Sequence, residues 1–369
     1  MKKVFLPDVC RIQYGYPFDS TLFNDKEGTP LIRIRDIIRG YSETYTTEKV
    51  NEGFLVHPGD ILIGMDGEFN VAKWGSIPSY LNQRVCRIFP QKNIDSEYLF
   101  HYLPVALKKI EEKTPFVTVK HLSAKALSTI PVPICELSEQ RRKSQFLSSI
   151  CFLVELRKKQ LSLLGQLASS RFIELFGKSQ YPVKTIKSVC KIVTDGTHQP
   201  PRFTDSGIPF LFVSNIVENA LTYETSKFIT EKDYSELIKR TPIELGDLLL
   251  SIVGSYGNPA IVRSTKPFCF QRHLAYLKPN RTYIVPEYLH AAFLSPNAKE
   301  QIEKRVKGIA QKTLNLSELK SIEIPLPPLA LQNEFAAFIE ELDKSKVTIQ
   351  KSLDRLNLLY KALLQEYFG

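Results

Sequence analysis

Apolar and polar residues alternate along this chain in two styles, and the styles come in the order short, long, short, long. Residues 1–135 carry short β-like runs, Leu31-Ile32-Arg33-Ile34, Asp60-Ile61-Leu62-Ile63 and Val85-Cys86-Arg87-Ile88-Phe89. Residues 178–329 carry another set, Phe210-Leu211-Phe212-Val213, Leu248 to Val253 and Ala260-Ile261-Val262. Gly, Pro, Asn and Asp punctuate both regions, which predicts strands joined by turns. Helical spacing intervenes at Glu97 to Ile110 and Glu287 to Lys304, so each region reads as a compact α/β (α+β) domain. Residues 136–177 and 330–369 are different. No proline interrupts either of them, and the only glycines are Gly165 and the terminal Gly177 and Gly369. Each predicts one helix, about 60 Å long over roughly 40 residues. A Pro-rich hinge opens each, Ile130-Pro131-Val132-Pro133 and Ile324-Pro325-Leu326-Pro327-Pro328.

Heptads run through both helices. In the second, Phe335, Leu342, Ile349, Leu356 and Leu363 form one stripe, and Phe338, Ser345, Ser352 and Leu359 the other. In the first, the stripes are Lys143, Ile150, Arg157, Leu164, Arg171 and Phe146, Leu153, Gln160, Leu167. Unequal seams suit an antiparallel intramolecular pair better than self-dimers, where each polar position would meet its own copy. The residues expected to pack helix against partner helix are Phe146, Leu153, Leu167, Phe338, Ile349, Leu356 and Leu363. Leu147, Val154, Leu161, Ile339, Leu353 and Tyr360 widen the stripe beyond a two-helix contact, to be covered either by the protein's own domains or by an external helical partner.

The chain is written twice. Phe172 to Gly177 matches Leu364 to Gly369, and Gln140 and Phe146 match Gln332 and Phe338. The hinges align, as do Leu122-Ser123 with Leu316-Ser317 and Glu97-Tyr98-Leu99 with Glu287-Tyr288-Leu289. Upstream, Gln83-Arg84 aligns with Gln271-Arg272, Gly59 to Leu62 with Gly246 to Leu249, and Val9-Cys10 with Val189-Cys190. The offset drifts, as loops of unequal length require. The expected organisation is a domain over 1–135, a helix over 136–177, a domain over 178–329 and a helix over 330–369.

Composition narrows the function classes. The 369 residues carry 49 Lys plus Arg against 39 Asp plus Glu, a net +10, which permits a polyanionic partner. No apolar run is long enough to span a membrane, and Pro7, Asp8 and Arg11 interrupt the N-terminus before a signal peptide can form. Six scattered cysteines without a C-x-x-C pair read as reduced core residues of a cytoplasmic protein. Phosphate-loop, dinucleotide, nucleophile-elbow and metal-ligand patterns are missing, as is an N-P-P-Y type adenine-methylation segment. The expectation is a non-catalytic binder with no metal and no cofactor of its own.

Function should then lie where the repeats differ, in the polar loops. The candidate DNA contacts are Asn70, Lys73, Arg84, Lys113 and Lys120 from the first half. From the second they are His198, Arg202, Tyr256, Asn258, Arg272, Lys307, Gln311 and Lys312. Arg and Lys serve phosphates and guanine edges, while Asn and Gln serve adenine edges. For each there is a plainer structural reading: a loop lysine is commonly just solvated, and Trp74 would cap a core. A scaffold that binds only protein partners is the alternative function, separable by salt-dependent affinity for duplex DNA.

The duplicated order Gly-Asp-Ile-Leu-Ile-Gly (59–64), Gln-Arg, Glu-Tyr-Leu, Leu-Ser, Ile-Pro-Val-Pro and a Gln-headed long helix resembles the specificity subunits of type I restriction–modification systems. The second hinge, Ile324 to Gln332, is similar to that family's I-P-x-P-P-x-x-x-Q; the first lacks the adjacent second proline and is two residues longer. The loop Gly64-Met65-Asp66-Gly67-Glu68 is acidic where the family places small or basic residues. The resemblance implies two target recognition domains, each reading half of a split double-stranded DNA target, and two antiparallel helices that separate them. It also implies docking of methyltransferase (modification) subunits, two in number, and of restriction subunits. S-adenosylmethionine, ATP and Mg would belong to those partners.

Overall fold

The computed structural model describes residues 2–113, 120–177, 181–308 and 312–369, with the Lys113 side chain left aside. The chain divides into two compact units, Met1–Lys158 with Lys351–Gly369, and Lys159–Gln350. Each unit therefore holds one α/β domain and half of each long helix.

In the first unit a four-stranded antiparallel sheet runs in the order Cys10–Tyr14, Val85–Pro90, Ile61–Gly64, Val71–Lys73. Its counterpart in the second unit runs Cys190–Asp195, Leu274–Pro279, Leu248–Ser251, Pro259–Ile261. Both faces of each sheet are covered, and the strands Ile61–Gly64 and Leu248–Ser251 are wholly buried. A second small sheet in each unit contains one parallel pair, Thr29–Ile32 with Ser79–Leu81 and Ile208–Leu211 with Cys269–Phe270. Each hinge proline run is itself a strand. Pro131–Ile134 pairs with Lys2–Phe5, and Glu323–Pro325 pairs with Val183–Thr185.

The Gly-Asp motif is a structural turn in both copies. Gly59 and Gly246 adopt φ of +93° and +83°, which a side chain disfavours. The following aspartate then accepts a backbone N–H three residues back, from His57 to Asp60 and from Glu244 to Asp247, each at 2.8 Å. The repeated glutamines clamp the long helices to their domains. Gln140 accepts from Asp95 N at 2.9 Å and donates to Cys135 O at 2.9 Å. Gln332 accepts from Val285 N at 2.8 Å and donates to Pro327 O at 2.8 Å and Tyr283 O at 3.0 Å.

Hydrogen bonding also corrects the register of three repeat matches. Tyr98 and Tyr288 donate to the carbonyls of Pro133 and Pro325, so these prolines correspond and the hinges align two residues away from their best letter match. Leu122 N bonds Met65 O as Leu314 N bonds Ile252 O, so Leu122 answers to Leu314, not Leu316. Arg84 O and His273 O accept from Met65 N and Ile252 N, so Arg84 answers to His273 and Arg272 to Gln83. Short motifs drifted by one or two letters while the backbone ladder kept its pairing.

The long helices are Leu137–Phe176 and Leu329–Phe368. They run antiparallel inside each unit. Arg157 meets Ser352 in the first, and Arg171 meets Glu334 at 2.9 Å in the second. The second stripe of the first helix lies one residue later than the heptad reading. Leu147 is buried and Val154, Leu161 and Ala168 are half-buried, whereas Phe146, Leu153 and Leu167 are 50%, 40% and 48% exposed. The inward face is fixed jointly by the partner helix and the α/β domain, and that wider contact selects the spacing 143, 147, 150, 154, 157, 161. In the second helix Phe338, Ile349 and Leu356 are half-buried and Leu363 buried. The expected helix Glu287 to Lys304 is two, Pro286–Leu294 and Pro296–Arg305, because Pro296 cannot continue the first and Ser295 caps the second.

Among the described residues no helix is long and apolar enough to cross a membrane, and no group of three or more His, Cys, Asp or Glu could hold a metal. All six cysteines are unbridged. Cys135 and Cys151 are half-buried, and burial pushes the thiols of Cys10, Cys86, Cys190 and Cys269 up to about 12.

Candidate nucleic-acid interface

Three stretches of backbone, far apart in sequence, are zipped together beside the central sheet of each unit. In the first, Gly67 N bonds Lys120 O at 2.9 Å, Leu122 N bonds Met65 O at 2.7 Å and Met65 N bonds Arg84 O at 3.0 Å. In the second, Gly254 N bonds Lys312 O at 3.0 Å, Leu314 N bonds Ile252 O at 2.8 Å and Ile252 N bonds His273 O at 2.9 Å. The loop after the third-ranked strand, the turn before the long strand and the segment before the hinge thus converge twice, by the same hydrogen bonds.

On this frame sit most of the sequence candidates. In the first unit Asn70 closes the loop, its carbonyl accepting from Gly64 N at 2.9 Å. Arg84 pairs with Asp66 at 2.7 Å, and Lys120 Nζ donates to Glu111 O at 2.9 Å. Lys73 stands apart, paired with Glu97 and lying 4.9 Å from the Phe100 ring. Trp74 is buried and donates to Ile77 O, so it caps the core. The Lys113 side chain and Gln311 lie outside the described residues.

In the second unit Tyr256, Lys307 and Lys312 gather at one loop cluster. The Tyr256 hydroxyl donates to Glu303 at 2.9 Å, and Lys312 Nζ lies 5.8 Å from its ring. Lys307 exchanges backbone bonds with Thr313, and its ammonium is 3.5 Å from Glu318. Asn258 donates to Ser255 Oγ at 3.0 Å, which braces the same loop. The backbone N–H of exposed Arg272 bonds Thr197 O at 3.0 Å, next to His198, whose ring is 2.9 Å from Asp195. Arg202 is exposed further along that loop. Sequence reasoning singled out neither Asp195, His121 nor Arg240 and noted Asp66 only as part of an acidic loop, because a loop acid carries no signal until the Arg and His side chains around it are seen.

The arrangement presents cations, amides and an aromatic ring on loops beside the central sheets, which is suited to phosphate and base-edge hydrogen bonding.

Comparison with known proteins agrees. The family model described as type I restriction modification DNA specificity domain matches residues 1–165 and again 178–358. The chain is 30% identical to the type I restriction enzyme EcoBI specificity subunit of Escherichia coli, over 99% of this chain and 85% of that protein. It is 23% identical to the MjaVIII specificity subunit of Methanocaldococcus jannaschii, over 89% of this chain and 88% of that one. Its fold is similar to the crystal structure of the type I S subunit from M. genitalium, with a TM-score of 0.60 at 15% identity over 100% of this chain and 96% of that one. A chain from a structural study of type I complex assembly and conformational transition gives a TM-score of 0.57 at 17% identity, over 100% and 97%. Two specificity domains in tandem, on two long packed helices, make this chain a member of the type I restriction–modification specificity subunits, the non-catalytic subunits of those systems.

Proposed function

We propose that the chain binds a bipartite duplex DNA target, one half-site to each α/β domain, and directs partner methyltransferase and restriction subunits to it. The observation that carries this reading is the twice-built loop frame, identical in backbone bonding and different in side chains. A shared frame with divergent loops is what two readers of two different half-sites require. Arg84, Lys120, His198, Arg202, Arg272, Lys307 and Lys312 then supply phosphate or guanine contacts, and Asn70, Asn258 and Tyr256 supply or brace neutral ones. Lys73, committed to Glu97, shapes the domain beneath.

The exposed apolar face of the first long helix supports docking of the modification subunits. Phe146, Phe152, Leu153 and Leu156 are between 40% and 65% exposed on one stretch of helix. In this reading S-adenosylmethionine, ATP and Mg are bound and used by the partners.

The test is the adenine methylome of the host with and without this gene. A two-part motif methylated on both strands and lost on deletion is the expected result. A methylome unchanged while the modification subunit is demonstrably expressed overturns the reading. Exchanging residues 1–135 for those of another specificity subunit should alter one half of the motif only.

A further inference from the structure

Each unit holds one aspartate clamped between a histidine and an arginine. Asp66 receives His121 Nδ1 at 2.6 Å on one oxygen and Arg84 Nη1 at 2.7 Å on the other. Asp195 receives His198 Nε2 at 2.9 Å on one oxygen and Arg240 Nη2 on the other, and Arg240 also donates to Thr194 Oγ1 at 3.2 Å. The two carboxylates are 16% and 10% exposed at the side chain, while all four partner side chains are 52–55% exposed. The acids are sunk and the bases stand proud.

The two clusters are not copies of one inherited feature. By strand pairing, Asp195 occupies the place of Tyr14, since Tyr14 pairs with Cys86 as Asp195 pairs with Ala275. Asp66 occupies the place of Val253, because both form the bridge to the segment before the hinge, with His121 and Thr313. A scaffold ion pair kept through the duplication would sit at one equivalent position. Here the same chemistry was built at two different ones, Asp66 on the loop frame and Asp195 at the end of the strand Cys190–Asp195, before the loop whose Thr197 bonds Arg272. An aspartate is also a poor choice beside a polyanion unless its charge is already spent on holding something.

Resting on the DNA-binding reading above, we propose that Asp66 and Asp195 are positioning residues. Each fixes an arginine and a histidine in the orientation that reads its half-site. A guanidinium offers five donors, and holding one terminal nitrogen aims the rest at a guanine edge or a phosphate. The carboxylate thereby selects one rotamer of a long side chain before the target arrives, lowering the ordering cost of binding. His121 and His198 occupy the second oxygen and keep the carboxylate from turning away.

The experiment selects a duplex with the full-length chain from a randomised duplex pool. Affinities are then measured for the selected duplex, for variants of each half-site and for a scrambled duplex. Asp66→Asn should weaken the selected duplex about tenfold and relax discrimination in one half-site only. Asp195→Asn should do the same in the other half. Scrambled duplex should bind no more weakly, since each substitution removes a negative charge. In a double-mutant cycle, Asp66→Asn should cost little more once Arg84→Ala is present. Affinity rising equally for selected and scrambled duplexes, or falling equally for both with a lower melting temperature, overturns the proposal. If an aspartate variant fails to fold, Arg84→Ala and Arg240→Ala decide: each must relax its own half-site alone. A wild-type chain that selects no duplex refutes the DNA-binding reading, whereas a selected duplex read unchanged by both variants refutes only this inference.

Discussion

Gln332 is wholly buried and ties three backbone groups of separate segments to the head of a helix. Replacing it with Leu keeps the volume but leaves Val285 N–H and the carbonyls of Tyr283 and Pro327 without that partner. The expected loss is about 3 kcal/mol, read from chemical denaturation, because each stranded buried group costs about 1–3 kcal/mol. His101 is the other decisive single residue. It is 2% exposed, and its ring bridges Tyr360 OH and Ser148 Oγ, each at 2.9 Å. Burial holds its pKa down at about 4, against an ordinary value of 6.5. The unfolded chain therefore takes up a proton near 6.5 while the folded one does not. The contribution of neutral His101 is complete above that value and is lost as the pH falls toward 4, a total on the order of 3 kcal/mol. Denaturation at pH 7 and pH 5 should show about 2 kcal/mol of this loss, and His101→Gln should flatten the slope; an unchanged slope would remove His101 from the account. Burial of His290 and His273 acts in the same direction, so the variant lessens the acid sensitivity without abolishing it. At this scale the sequence was legible where a residue is repeated with its spacing, as for Gln140 and Gln332. His101 was not legible, since its counterpart in the second copy is not a histidine and its partners Ser148 and Tyr360 are remote in the chain.

Helices state their length plainly and their orientation poorly. The proline-free runs contain the helices Leu137–Phe176 and Leu329–Phe368, which start just past the hinge prolines and run through Gly165 without a break. The rotation of the first helix was harder. Phe146, Leu153 and Leu167 keep a perfect heptad, yet the buried line runs through Leu147 and its followers. Heptad spacing marks every apolar line equally, and only the surrounding packing decides which one turns inward. The outer line stays exposed, and the proposed docking of a modification subunit would cover it. Changing Phe146 and Leu153 to Glu should thus leave the melting temperature nearly unchanged, because neither side chain is buried. The same change should abolish co-purification with the modification subunit, where one is co-expressed. A melting temperature lowered by many degrees would show instead that this line belongs to the fold.

For the molecule as a whole, the duplication and the antiparallel pairing of the two helices were legible, and the points at which the compact units divide those helices were not. Strand ends, turn aspartates and clamp glutamines recur because a sheet with both faces covered tolerates few alternatives. The compact units, however, cut both helices in the middle, joining the first half of one to the second half of the other. The antiparallel pairing that the unequal seams suit requires this exchange, whereas the division near Lys158 and Gln350 carries no local pattern. Sharing of this kind makes both helices continuous from one unit into the other, which gives helix length a direct consequence for the proposed bipartite target. Removing one heptad from each helix, around Lys158 and around Gln350, shortens both by about 10 Å. A whole heptad preserves the inward face, so the units themselves should remain folded. Ten ångströms correspond to roughly three base pairs at 3.4 Å each. The doubly shortened chain should therefore specify the same two half-sites with about three fewer base pairs between them, as read from the methylome. Shortening only one helix would misalign the antiparallel pair and should abolish methylation. If the doubly shortened chain methylates the original spacing, the helices do not set the gap, and the spacing must be fixed by the modification subunits.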